Sequence, residues 1–262
     1  GTLVLTVTVE VTNGNPVGAD VSTSTQQDTP VSIDILAGVT DPDGDDVEVT
    51  SVTQGSNGSV AIVGGQVAYT PNPGFAGADT FTVTVTDENG GTLVITVTVT
   101  VNGAPTADDA EASTQAGTPV AIDVLDGASD PNGDDLEVES VTQGANGSVA
   151  IVDGQVVYTP APGFSGTDSF EVTIGDGNGG TVTITVAVTV NGSPVGSDAS
   201  ASTQQDTPVT IDILGGVTDP DGDAMEISAV TQGANGSVTI SGGIVVYTPN
   251  AGFSGTDTFK VT

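Results

Sequence analysis

The chain has 262 residues, no Cys, no His and no Trp, and one basic residue, Lys260, against 34 acidic ones, for a formal charge of −33. Contacts to phosphates and to anionic headgroups rest on Lys and Arg, so nucleic acid is excluded as a partner and so is an anionic membrane surface. The composition also excludes disulfides and thiolate metal sites, and it leaves general acid–base or nucleophilic chemistry little beyond carboxylates to work with.

Residues 1–12 alternate apolar and polar side chains and predict a strand, with Leu3, Leu5, Val7, Val9 and Val11 on one face. Gly1-Thr2-Leu3-Val4 returns as Gly91-Thr92-Leu93-Val94, in a stretch that closes a full repeat. Residues 1–12 therefore read as the last strand of a preceding repeat, or as a strand donated to another copy. The first full repeat spans 13–101 and opens on Asn13-Gly14-Asn15-Pro16, a linker signal. Strands are expected near 20–27 and at 31–36, 47–54, 59–63, 66–70, 80–86 and 92–101. Asn57-Gly58 reads as a two-residue hairpin turn, and Gly64-Gly65 as a second one. A crossover at 71–79 and the loop Asp87-Glu88-Asn89-Gly90-Gly91 complete the repeat. Seven short strands with regular turn signals and no helical period predict an all-β fold, a seven-stranded antiparallel Ig-like sandwich. The second repeat is 102–190. The third is 191–262 and lacks its last strand. Self-similarity at this period means a tandem array. No apolar run approaches membrane-spanning length, which predicts no membrane insertion.

Aromatic residues keep the register: Tyr69, Phe75 and Phe81 return as Tyr158, Phe164 and Phe170, then as Tyr247, Phe253 and Phe259. They are expected to fill small cores. Met225 takes the place of Val47 and Leu136 and reads as a gap-filler in the same core. Outward positions of the last strand, such as Thr96, Thr98 and Thr100, combine strand propensity with polarity.

One acidic loop organises each repeat. Asp41-Pro42-Asp43-Gly44-Asp45-Asp46 returns as Asp130-Pro131-Asn132-Gly133-Asp134-Asp135 and as Asp219-Pro220-Asp221-Gly222-Asp223, at a constant step of 89 residues. Asp, Pro and Gly are ordinary turn formers. Here, however, oxygen-bearing side chains alternate along the loop, which suits Ca²⁺ with its 6–8 oxygen ligands. Carboxylates this close also call for a counter-ion. Up-and-down strand order gathers the linker, this loop and the final hairpin at one end of the sandwich. Between the first two repeats that end collects Asn102, Asp108 and Asp109, the loop residues, and Asp176 and Asn178, with Asp79 of the preceding crossover within reach. The corresponding candidates elsewhere are Asp20, Asp87 and Asn89 in the first repeat, and Asn191 and Asp198 in the third.

The sequence resembles the tandem bacterial Ig-like and cadherin-like repeats of large secreted adhesins and surface fibres. The residues that carry the likeness are Asn-Gly-x-Pro at the linker, Thr-Pro-Val before the second strand, Asp-Pro-Asp-Gly-Asp, Tyr-Thr-Pro-x-x-Gly-Phe-x-Gly-x-Asp-x-Phe, and Asp176-Gly177-Asn178-Gly179-Gly180. The resemblance covers nearly the whole chain. It implies an extracellular or cell-surface spacer, stiffened by calcium, that holds a binding tip away from the cell. Asn132 in place of the middle Asp, and Ala224 in place of Asp46, depart from the pattern.

An enzyme is not expected, since the acidic groups recur in three equivalent places and not in one specialised cleft. The alternative to a spacer is a module that binds carbohydrate or protein directly through its loops. The near-identity of those loops between repeats argues against it. The expected partners are neighbouring copies of the chain, end to end, in a filament or longer array. The orphan strand at 1–12 and the incomplete third repeat motivate that expectation.

Overall fold

The computed structural model describes residues 1–10 and 12–262. The first repeat contains β1 (Val21–Gln26), β2 (Val31–Ile33), β3 (Glu48–Val52), β4 (Gly58–Val63), β5 (Gln66–Pro71), β6 (Gly77–Thr86) and β7 (Thr92–Asn102). The second contains β8 (Ala110–Gln115), β9 (Val120–Ile122), β10 (Glu137–Val141), β11 (Gly147–Val152), β12 (Gln155–Pro160), β13 (Gly166–Gly175) and β14 (Thr181–Asn191). The third contains β15 (Val195–Gly196), β16 (Val209–Ile211), β17 (Val217–Thr218), β18 (Gly236–Ser241) and β19 (Ile244–Pro249). Two compact units divide the chain: Gly1–Asp108 with Val124–Ser140 and Val172–Ile184, and Asp109–Asp123 with Val141–Glu171 and Thr185–Thr262.

In the first unit, β1 to β7 form two sheets in the orders β1-β7-β6-β3 and β2-β5-β4. The period-2 pattern sets which residues point inward. Phe81, Val83 and Val85 of β6 and Ile95, Val97, Val99 and Val101 of β7 are buried, and threonines alternate with them on the outer face. Tyr69 of β5 stacks on Phe81 at 5.9 Å and joins the two sheets across the core. The pairing is antiparallel except at one edge, where β1 runs parallel to β7 from Val21↔Val97 to Gln26↔Asn102. Both strands leave the linker end of the sandwich, so they run the same way.

Asn57-Gly58 does not close a hairpin. β3 pairs with β6 and β4 with β5, so these two residues carry the chain from one sheet to the other. Gly64 and Gly65 do close one, with φ of 59° and 85° as a primed turn requires. Residues 1–10 form no strand and are exposed, Leu3 by 83 % and Val7 by 80 %. No ladder pairs with them, and a strand alone gains nothing from its pattern. Val11, included in the expected strand, lies outside the described residues.

The second unit repeats these devices. β14 runs parallel to β8 from Val186↔Ala110 to Asn191↔Gln115. Sheets β11-β12-β9 and β16-β19-β18 mirror β4-β5-β2. Tyr158 stacks on Phe170, and Tyr247 on Phe259. Residues 199–204 correspond to β8 and form no strand. Met225, expected in the core, is half-buried.

Candidate metal centres at the acidic loops

Each acidic loop is a turn locked by its first Asp. Gly44 N donates to Asp41 O, Gly133 N to Asp130 O and Gly222 N to Asp219 O, each at 3.2 Å. Pro occupies the second turn position and Gly the fourth, with φ near 80° at all three glycines. One carboxylate oxygen of the first Asp also accepts two backbone amides of its own loop. Asp41 Oδ1 takes Asp43 N at 2.8 Å and Asp45 N at 3.4 Å. Asp130 Oδ1 takes Asn132 N at 2.7 Å and Asp134 N at 3.2 Å, and Asp219 Oδ1 takes Asp221 N at 2.9 Å and Asp223 N at 3.2 Å. The other oxygen differs in its fate. Asp41 Oδ2 and Asp130 Oδ2 are buried and accept no hydrogen bond.

The same two residues belong to groups of converging carboxylates. In the first loop, Asp41, Asp43 and Asp45 bring one oxygen each within 4.8 Å of one another. In the second, the group is Asp130, Asp134 and Asp176, the last contributed by the hairpin between β13 and β14. Asp176 is held there by its own turn. Asn178 N and Gly180 N donate to its Oδ1 at 2.8 and 2.9 Å, and Asn102 Nδ2 donates to its Oδ2 at 2.8 Å. Burial pushes its pKa up, but hydrogen bonds from Asn102, Asn178 and Gly180 outweigh that and hold the carboxyl below its usual range. The group is thus ionised at neutral pH beside two other carboxylates. Three converging carboxylates, one of them on a residue with a buried oxygen that has no donor, fit a hard cation with oxygen ligands.

The structure brings the linker, the acidic loop and the hairpin together, and it separates the candidate residues into groups. Asp87, like Asp176, is buried and takes Asn89 N, Gly91 N and Asn13 Nδ2. Asn89 Nδ2 donates to Asp45 Oδ2 at 2.7 Å. Asn178 presents its backbone oxygen to Gln26 Nε2 at 2.8 Å, and Gln26 Oε1 in turn accepts Asn102 Nδ2 at 3.3 Å. Asn132 turns its side chain to the linker backbone, with Gly103 N donating to Oδ1 and Nδ2 donating to Val101 O. Asn191 Nδ2 donates to Gln115 Oε1 and to Gly192 O. Asp20 and Asp109 stand apart from the clusters. Each accepts a strand amide, Thr96 N at 2.8 Å and Thr185 N at 2.7 Å, at the parallel edge. Asp46, Asp108, Asp135 and Asp198 are exposed and belong to neither convergent group. Among the described residues, Asp219, Asp221 and Asp223 do not converge as the first loop does. Gln26 was not singled out from the sequence, although its recurrence as Gln115 and Gln204 was there to see.

Asp79, expected within reach of the next repeat, faces inward. It is 3 % exposed and accepts Ser56 N, Asn57 N and Tyr69 Oη, all at 2.9 Å. Asp168 and Asp257 do the same for Tyr158 and Tyr247. This carboxylate staples the crossing at Asn57-Gly58 to the core tyrosine, and its oxygens are fully used.

Solved structures with a similar trace include a three-Ig segment of titin, at 11 % identity over 94 % of this chain and 93 % of that one, with a TM-score of 0.45. Human CDH23 EC21-23 follows at 17 % identity over 90 % of each chain, with a TM-score of 0.37. An endo-fucoidan hydrolase of glycoside hydrolase family 107 is similar at 16 % identity over 92 % of this chain and 40 % of its own, with a TM-score of 0.29. No curated protein matches the sequence. The family model described as bacterial Ig domain matches residues 13–100, 102–189 and 191–262. The chain is therefore a member of the bacterial Ig domain family, carrying three tandem copies of the domain.

Proposed function

We propose that the chain is a non-catalytic, calcium-stiffened spacer of an extracellular surface adhesin or fibre. Bacterial Ig repeats suit that setting, and among the described residues no helix is long and apolar enough to cross a membrane. The observation that carries the calcium reading is the convergence of carboxylate oxygens from Asp130, Asp134 and Asp176, in a group where Asp130 also keeps a buried oxygen, Oδ2, with no donor. Asp130 and Asp134 come from one loop and Asp176 from another, and Asn102 of the linker holds Asp176 in place. A cation gathered by these carboxylates ties the linker end of the repeat together; without it the same charges repel in a chain with one basic residue. Ca²⁺ is favoured over Mg²⁺ because carboxylate-rich, irregular loops meet its flexible coordination.

The reading extends to end-to-end contact between copies. Residues 1–10 carry the β7 sequence and are exposed, while 199–204 are exposed and unpaired. In the first two repeats β7 and β14 cover the equivalent edges.

The test of the calcium reading is titration of the chelator-treated chain with Ca²⁺, followed by calorimetry, scattering and melting. Binding should raise the melting temperature, as a ligand specific to the folded state must. It should also narrow the distribution of interdomain distances. Asp130→Asn should weaken binding while leaving the fold intact. An unchanged melting temperature and unchanged scattering with and without chelator would refute the proposal.

A further inference from the structure

We propose that Asn132 fastens the linker joint at 101–103 with a two-sided hydrogen-bonded clasp, one bond of which an Asp at this loop position, as at Asp43 and Asp221, has no proton to make. The inference rests on hydrogen-bond chemistry and stands apart from the calcium reading.

The middle residue of each loop meets the glycine of its linker. Gly14 N donates to Asp43 Oδ2, and Gly192 N to Asp221 Oδ2. Gly103 N donates to Asn132 Oδ1 at 2.8 Å, so the accepting role is common to all three. Only Asn132 does more. Its Nδ2 donates to Val101 O at 3.0 Å, two residues before the glycine, and the side chain grips the backbone on both sides of Asn102. The orientation of the amide is dictated by its partners, because a backbone N–H only donates and a carbonyl only accepts. A carboxylate in this place keeps the first bond and has no proton for the second. Set opposite the carbonyl oxygen it would put two acceptors face to face with no proton between them.

The clasp continues beyond Asn132. Asn102 Nδ2 reaches Asp176 Oδ2 and Gln26 Oε1, and Gln26 Nε2 reaches Asn178 O. Gln27 N also donates to Asn102 O at 2.7 Å. Linker, loop, hairpin and the end of β1 thus form one network in which each amide group has a partner of the right kind. The ligand set shifts accordingly. Where Asp43 stands, the convergent oxygens come from the loop alone; where Asn132 stands, Asp176 of the hairpin completes the group.

The experiment uses the full chain, with Asn132→Asp and the reciprocal Asp221→Asn. Amide hydrogen exchange is read in chelator at Gln27, whose N donates to Asn102 O, and at Ala116, whose N donates to Asn191 O. Asn132→Asp should speed Gln27 exchange about tenfold, the effect of losing one modest hydrogen bond from the joint. Asp221→Asn should slow Ala116 exchange. Equal Gln27 exchange in the parent and in Asn132→Asp would overturn the clasp.

Discussion

The buried staple between Asp168 and Tyr158 offers a quantitative test of how these small sandwiches are held. Besides the adjacent Ser169 N at 3.0 Å, replacing Asp168 by Ala strands three donors: Ala145 N at 3.0 Å, Asn146 N at 2.8 Å and Tyr158 Oη at 2.9 Å. Tyr158 is fully buried, so its hydroxyl has no water to turn to. Each buried group left without a partner costs about 1–3 kcal/mol, and the three share one acceptor, so the loss should be about 3–5 kcal/mol and not the full sum. Removing Tyr158 Oη as well, with Tyr158→Phe, takes away one stranded donor. The double variant should regain about 1–2 kcal/mol over Asp168→Ala. Denaturant unfolding of the four chains, with hydrogen exchange at Ala145 and Asn146 to locate the effect, gives the cycle. The carboxylate also predicts a pH response. Burial raises its pKa, yet hydrogen bonds from Asn146, Tyr158, Ser169 and Ala145 prevail and hold it low. A depressed native pKa contributes stability above the unfolded value of about 3.9 and loses it as pH falls through the native one. Asp168→Ala should therefore flatten the acid limb of the stability profile. An unfolding midpoint within experimental error of the parent, or a double variant no better than Asp168→Ala, would refute the donor accounting.

Two further predictions concern groups whose readout is unusually clean. With three tyrosines and no tryptophan, absorbance follows tyrosinate directly; burial first, then the hydrogen bond and charge of Asp168, push Tyr158 up to about 12. A raised native pKa keeps its stability below the unfolded value of about 10 and loses it as pH rises toward the native one, so titration near 10 without unfolding would contradict the staple. For the end-to-end contact, deletion of residues 1–12 should abolish concentration-dependent association of the chain in light scattering, and a synthetic peptide of 1–12 should restore order at 199–204; association that survives the deletion would dismiss that contact.

Periodicity made the sandwich legible. The alternation of Val and Ile with Thr placed β6 and β7 to within a few residues, and the aromatic frame located the core. What escaped was pairing. Asn57-Gly58 has hairpin chemistry, but a turn signal does not say which strands it connects, and here Asp79 draws it across the core. The parallel edge of β1 on β7 was hidden for the same reason, since strand direction follows from which end of the sandwich each strand leaves. At the site, the meeting of linker, loop and hairpin could be derived from strand order alone. The division of labour among the carboxylates could not, because it depends on which backbone amides lie within 3 Å of each oxygen.

That division is decided by counting donors. Asp79, expected within reach of a cation, and its counterparts Asp168 and Asp257 each spend their oxygens on two loop amides and a tyrosine hydroxyl. A carboxylate so satisfied gains little by exchanging those bonds for an ion, and its removal damages the fold. Asp41 and Asp130 spend one oxygen on their own loop and leave the other buried and unanswered. Leaving a charged acceptor so costs free energy, and in a chain of charge −33 the missing partner is not to be found among its own side chains. The same accounting reaches Asn132, where an amide answers a carbonyl that a carboxylate cannot. Carboxylates with every donor in place hold each repeat together, and those with one oxygen left over are the ones on which the calcium proposal rests.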